Sequence, residues 1–251
     1  NKPVKYLVLT HYHAVRVLGA SAFDAEHIVA SETTRKLIEE RGKQDWDSEF
    51  GRMPRLFKEP EGIPGLTFPT QTFADGFEIP LGGDRGKIAL KFCGRGHTAG
   101  DIVAWHAKTK TLLAGDLVEA EAALYTGDAF HKDWAAGTLD KVKAYRAENL
   151  IGGRGAVARG NAACDAAVEQ TREFLNVMIR EVGAVHGRKG TLKDAFEATH
   201  KALAPKFGRW PIFEHCLPFD VQRLGDEFDG IDWPRIWTME RDREVWARLQ
   251  G

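Results

Sequence analysis

Apolar residues come in short blocks along the first part of the chain and at helical spacing in the last third. "VKYLVLT" (4–10) and "HIVAS" (27–31) are aromatic and β-branched runs with the length of buried strands. Ser31 is placed to cap a helix reaching about Arg41, with Glu32 near its start and Gly42 closing it. Residues 43–65 mix charges with a Pro/Gly-rich turn and read as an irregular flap. "FEIPL" (77–81), "KIALKF" (87–92), "DIVAWHA" (101–107) and "KTLLAGD" (110–116) are separated by glycine-bearing turns and predict a meander. The spacing then predicts a helix over 135–148, a strand over 149–153 and helices over 161–182 and 191–204. An irregular aromatic tail ends in a helix over 238–250. Strands with helices between and after them make an α/β protein. Its domains are expected to be a layered core over 1–160 and a helical part over 161–251 packed on it.

Composition narrows the function classes. The net charge of −1 gives no basic field for nucleic acid or anionic lipid. No apolar run approaches the roughly 18 residues of a membrane span, and no signal peptide opens the chain. Cys93, Cys164 and Cys216 are widely spaced and odd in number, which suits reduced thiols and a cytoplasmic protein.

Three of the strands end in a metal-capable side chain. They are "LVLTHYH" with His11 and His13, "FCGRGHTAGD" with His97, and "TLLAGD" with Asp116. Imidazole and carboxylate suit a borderline divalent ion such as zinc or iron, and strand ends hold such ligands rigidly. His131 in "GDAFHKDW" and His215 in "PIFEHCLPF" are further candidates. His215, between prolines, is expected on a loop returning over the site, as a replacement ligand or an acid or base. Aromatic residues of the flap and tail (Trp46, Phe50, Phe57, Trp134, Trp210 and Phe213) are core by default, and any that line a pocket would imply an aromatic or apolar substrate.

"THYH", "GHTAGD" and "LLAGD", in that order and each after a strand, resemble the metallo-β-lactamase superfamily, which includes glyoxalase II and many esterases and lactonases. The resemblance covers about residues 4 to 160 and implies an αββα sandwich. It implies that His11, His13 and His97 bind a first metal and that Asp116 bridges to a second. The second metal's own ligands are missing. Val15 and Arg16 stand where the motif has aspartate and histidine, and Arg154 in "GGRGAV" stands where a late turn carries histidine. Arginine cannot ligate a cation. Arg16 and Arg154 would therefore either hold a substrate anion or developing oxyanion, or pair with Asp101 or Asp116 to fill a vacated pocket.

What remains suits one divalent ion (zinc or iron, with manganese admissible) and hydrolysis of an ester, thioester, lactone or activated aryl ether. Asp116 or Asp101 would orient the water. A competing set, His11, His97 and Asp116, matches the mononuclear iron of the superfamily's persulfide dioxygenases. A third reading is a non-catalytic subunit of a split enzyme. The resemblance also implies several strands before "THYH". The first sheet is thus expected to be incomplete here and completed by a second chain or a missing N-terminal segment.

Overall fold

The computed structural model describes residues 2–52 and 57–250. Three parallel strands, β1 (Tyr6–Val8), β2 (His27–Ser31) and β3 (Gln71–Phe73), form one sheet in that order. A second sheet holds six strands in chain order. They are β4 (Gly76–Pro80), β5 (Lys87–Phe92), β6 (Ile102–His106), β7 (Thr111–Gly115), β8 (Asn149–Gly152) and β9 (Ala158–Arg159). All its pairings are antiparallel except β7 with β8. β1 is an edge strand, paired among the described residues only with β2.

The period-2 rule explains how the first sheet is buried twice. Along β1 and just beyond it, Leu7 and Leu9 pack with Ile28, Leu37, Ile38 and Phe130, whereas Tyr6 and Val8 pack with Val29, Leu90 and Ile102. One face therefore meets a helix, α2 (Glu32–Arg52), and the other meets the second sheet. A parallel sheet covered on both faces needs near-continuous apolar strands, which is what "YLVL" and "HIVA" supply. The second sheet's far face, through Val103, Leu112 and Leu150, packs on Leu139, Val142, Val168 and Phe174 of the helices. Helix, sheet, sheet and helix are the αββα layers expected.

Several boundaries differ from the sequence reading. The flap expected over 43–65 is helix as far as Arg52; residues 53–56 lie outside the described ones. Thr34, Leu37, Ile38, Arg41 and Ser48 are the buried face of α2, at helical spacing. The second half of that stripe is polar, so periodicity in apolar residues fades where the helix does not. Gly42 does not close the helix: a Cβ there would lie 3.1 Å from a Leu66 methyl, so glycine is explained by close packing. Ser31 does cap it, its Oγ accepting from the Thr34 amide at 3.0 Å. Ser31 Oγ and Thr34 Oγ1 also donate to the Gly100 carbonyl at 2.7 and 3.0 Å, joining α2 to the turn before β6.

The helix expected over 135–148 starts earlier and is irregular. It runs through α3 (His131–Asp133), a π turn over Trp134–Thr138, and α4 (Leu139–Lys143). The C-terminal part holds α5 (Asn161–Gly187), α6 (Leu192–Phe207), α7 (Phe213–Phe228) and α8 (Met239–Gln250). A Thr191–Asp194 capping box starts α6. Sequence reading missed α7 because Pro218 argues against a helix interior, yet Pro218 is buried inside it. All three cysteines are buried and free. Among the described residues no helix is long and apolar enough to cross a membrane.

Candidate metal centre

The chain after β1 continues through Thr10 to His11 and His13, then turns into a short helix, α1 (Ala14–Val17). The Thr10 carbonyl accepts from the Ile102 amide at 3.0 Å, so the first sheet's ligand loop is tied to the second sheet. The turn after β5 carries His97. Its shape depends on Gly96, where a Cβ would lie 2.4 Å from a Leu117 methyl, and on Asp101. Asp101 accepts from the Thr98 amide at 2.7 Å and the Thr98 hydroxyl at 2.9 Å. Asp116 follows β7, and Arg154 follows β8.

His11, His13 and His97 converge. Their ligand-capable atoms lie within 4.8 Å of one another, and all three side chains are buried. No other His/Cys/Asp/Glu group among the described residues meets that test. His97 Nε2 is 3.0 Å from His13 Nδ1, and the rings stand nearly perpendicular. His11 Nε2 is buried with no hydrogen-bond partner. Burial drives His11 down to about 3 and His97 well below the usual imidazole range, so both are neutral at pH 7. Neutral imidazoles with converging nitrogens, that of His11 unpartnered, are the state a metal requires. The donor set fits a divalent ion of zinc type.

Asp116 is beside this trio, with Oδ2 3.8 Å from His11 Nε2 and 3.6 Å from His97 Nε2. Its oxygens are already engaged. Arg16 Nη2 donates to Oδ1 at 2.7 Å, and Arg154 Nη1 donates to Oδ2 at 2.8 Å and to Glu119 Oε1 at 2.7 Å. Burial alone would raise the Asp116 carboxyl, but the neighbouring imidazoles and the guanidiniums of Arg154 and Arg16 hold it well below the usual carboxylate range. With His11 and His97 neutral, the guanidiniums are the charges that count. Glu119 moves the other way, pushed up to about 8 by burial and by the Asp116 charge. Two arginines against one firmly ionised carboxylate leave the cluster net positive, which disfavours a second cation there.

Both arginines pair with Asp116. Close backbone approach makes the cluster possible: a Cβ at Gly153 would lie 1.9 Å from Asp116 Oδ1. Arg16 lines a groove with Thr10, Leu113 and Ile151, in which His13 has no part. Arg154 instead borders a cleft of about 180 Å³ together with His13, Val15, Asp45, Tyr125 and His215.

Other expected site residues fall elsewhere. Asp101 has both oxygens on Thr98 and shapes the His97 turn. His131 is fully buried between Glu227 Oε1 (3.1 Å) and Thr126 Oγ1 (2.8 Å), outside the trio. His215 is not on a loop: it is exposed in the first turn of α7, at the cleft, and outside the metal-capable group. The aromatic residues of the cleft are Tyr125 and Phe219; none of the six flap and tail aromatics lines it. Trp134 and Phe213 are buried core residues.

Three carboxylates were missed. Glu119 is one. Asp45 of α2 borders the cleft, accepts from the Ala14 amide at 2.7 Å, and is pushed up to about 6 by burial. Asp128 Oδ2 lies 3.0 Å from His13 Nε2. No spacing signal marked any of them.

A family model for the metallo-beta-lactamase superfamily matches residues 1–154. The chain belongs to that superfamily. A "Metallo-beta-lactamase type 2" from Bacillus sp. (strain 170) is 28% identical over 155 residues, 60% of this chain and 51% of that protein. The chain thus spans about half the length of this curated relative. A metallo-beta-lactamase structure from Pontibacter korlensis superposes with a TM-score of 0.51 at 23% identity, covering 68% of this chain and 70% of that one. The DIM-1 metallo-beta-lactamase gives 0.49 at 22% identity, covering 67% of each chain.

Proposed function

We propose that this protein is a hydrolase working with one divalent ion, zinc, held by His11, His13 and His97, on an ester, lactone, thioester or activated aryl ether. The observation that carries the reading is the trio of buried, converging imidazoles, of which His13 borders a cleft, with His11 Nε2 left without a partner. When bound by three imidazoles with a position open, such an ion lowers the pKa of water toward ~7 and supplies a nucleophile at neutral pH. Burial of His11 and His97 keeps water from their outer faces and keeps them unprotonated. Arg154, on the cleft wall, places positive charge beside the reacting carbonyl, where an oxyanion would develop. Asp45, which lines the cleft with Glu49, is pushed up to about 6 by burial and is placed to take up a proton. Tyr125 and Phe219 favour an apolar or aromatic substrate body.

The iron dioxygenase reading needs Asp116 as a ligand with two of the histidines. Both its oxygens are engaged by guanidiniums, so the three-imidazole, zinc-type reading is preferred. Purified protein is expected to hold about one equivalent of zinc and to lose turnover on chelation. Turnover should proceed without oxygen uptake and return with zinc. Iron with oxygen consumption during turnover would replace this reading with the dioxygenase one, and absence of any metal would end both.

The open edge of β1, beside the exposed Leu113 and Ile151, supports a further element of the proposal: a second chain, or another segment, pairs there. Native mass spectrometry is expected to show an oligomer. A stable folded monomer of these residues alone would count against it.

A further inference from the structure

We propose that Asp128 is a positioning residue that locks His13 in the tautomer whose Nδ1 lone pair faces the metal centre, with Arg41 holding the carboxylate from behind. The proposal rests on the metal reading above but can be judged separately from it.

The trio is unequal in how its rings are fixed. His11 Nδ1 faces the Thr10 hydroxyl at 3.0 Å, a group that can donate or accept and so dictates no tautomer. His97 Nδ1 is buried and has no hydrogen-bond partner. His13 alone has a carboxylate behind it, with Nε2 3.0 Å from Asp128 Oδ2, while its Nδ1 faces His97 Nε2 at 3.0 Å. A carboxylate only accepts, so the proton belongs on Nε2 and the lone pair on Nδ1. An anionic acceptor also makes the ring a better donor to a metal than a neutral one would.

The carboxylate is itself held. Asp128 is buried, and Arg41 Nη1 lies 3.6 Å from its Oδ1. Arg41 is buried as well, donating to the Pro234 carbonyl at 3.1 Å and to Glu40 Oε1 at 2.7 Å. Its guanidinium lies over the rings of Tyr12 and Trp233, 5.8 and 5.7 Å from their centroids. A buried arginine in the middle of a helix is a costly feature unless it is used. Here its charge, shared with Glu40, lies near Asp128 Oδ1 without competing for the oxygen that faces His13.

The test begins with ¹⁵N-imidazole chemical shifts of metal-free wild-type protein, at a pH where the rings are neutral. His13 is expected to carry its proton on Nε2; a proton on Nδ1 overturns the proposal. That readout needs neither a variant nor a bound ion, so it stands even if the protein proves to bind no metal. Zinc affinity is then measured by competition with a chromophoric chelator. Asp128→Asn, which keeps the shape and loses the charge, is expected to bind zinc about 10–100-fold more weakly than wild type. A variant that is folded and binds zinc within threefold of wild type overturns the proposal. Should Asp128→Asn fail to fold, the wild-type tautomer decides alone.

Discussion

Replacing His97 with Ala is expected to leave a folded protein that no longer retains zinc and whose turnover falls by roughly 10³-fold or more. The reason is geometric. The three rings form a near-equilateral triangle, with His97 4.7 Å from each of the other two centroids and those two 5.0 Å apart, and His97 Nε2 sits both beside His13 Nδ1 and 3.6 Å from Asp116. Without it two imidazoles remain, too few to close a zinc site. The fold should survive because the turn carrying His97 is held by Asp101 and Gly100 rather than by the imidazole, whose Nδ1 has no partner to lose. Metal analysis, circular dichroism and activity on one preparation check this. Survival of either metal or turnover would remove the site assignment.

Arg154→Met is expected to destabilise the protein by about 2–3 kcal/mol, less than the roughly 3–5 kcal/mol of a fully buried pair because the guanidinium is partly open to solvent. For a chain of this size that corresponds to about 4–12 °C in melting temperature. The loss arises because the Arg154 side chain serves two carboxylates at once; without it Asp116 keeps only Arg16 among its guanidiniums and Glu119 keeps only the backbone of residue 154. Glu119, already pushed up to about 8, would be wholly neutral at pH 7 in the variant. Combining Arg154→Met with Glu119→Gln should therefore recover part of the loss, a coupling read by a double-mutant cycle. A change under about 0.5 kcal/mol in the single variant would mean that the guanidinium does not hold this position together.

Much of this site could be read from the residues because its ligands sit at strand ends, where apolar runs stop abruptly. His11, His13 and His97 needed only that pattern. Arg16 and Arg154 could be placed near Asp116, but which use they serve depends on distances no spacing contains. The carboxylates could not be found this way. Asp128 lies three residues before His131 in "GDAFHKDW", and the histidine drew attention while it is the aspartate that backs His13. Arg41 and Asp45 belong to the continuation of α2, whose buried face turns polar after Ile38. Salt bridges such as Arg35 with Glu39 support its outer surface, so neither face shows the apolar rhythm that marks a helix. α7 was hidden by Pro218, which tertiary packing overrides.

The Gly100 carbonyl, gripped by both Ser31 and Thr34, acts as a rivet between layers, beside the Thr10–Ile102 bond. A cage whose walls are fastened at that point is assembled as the chain folds, so an arriving ion finds its seat ready. Capture then forfeits little chain entropy, and affinity reflects the donors themselves rather than the labour of gathering them.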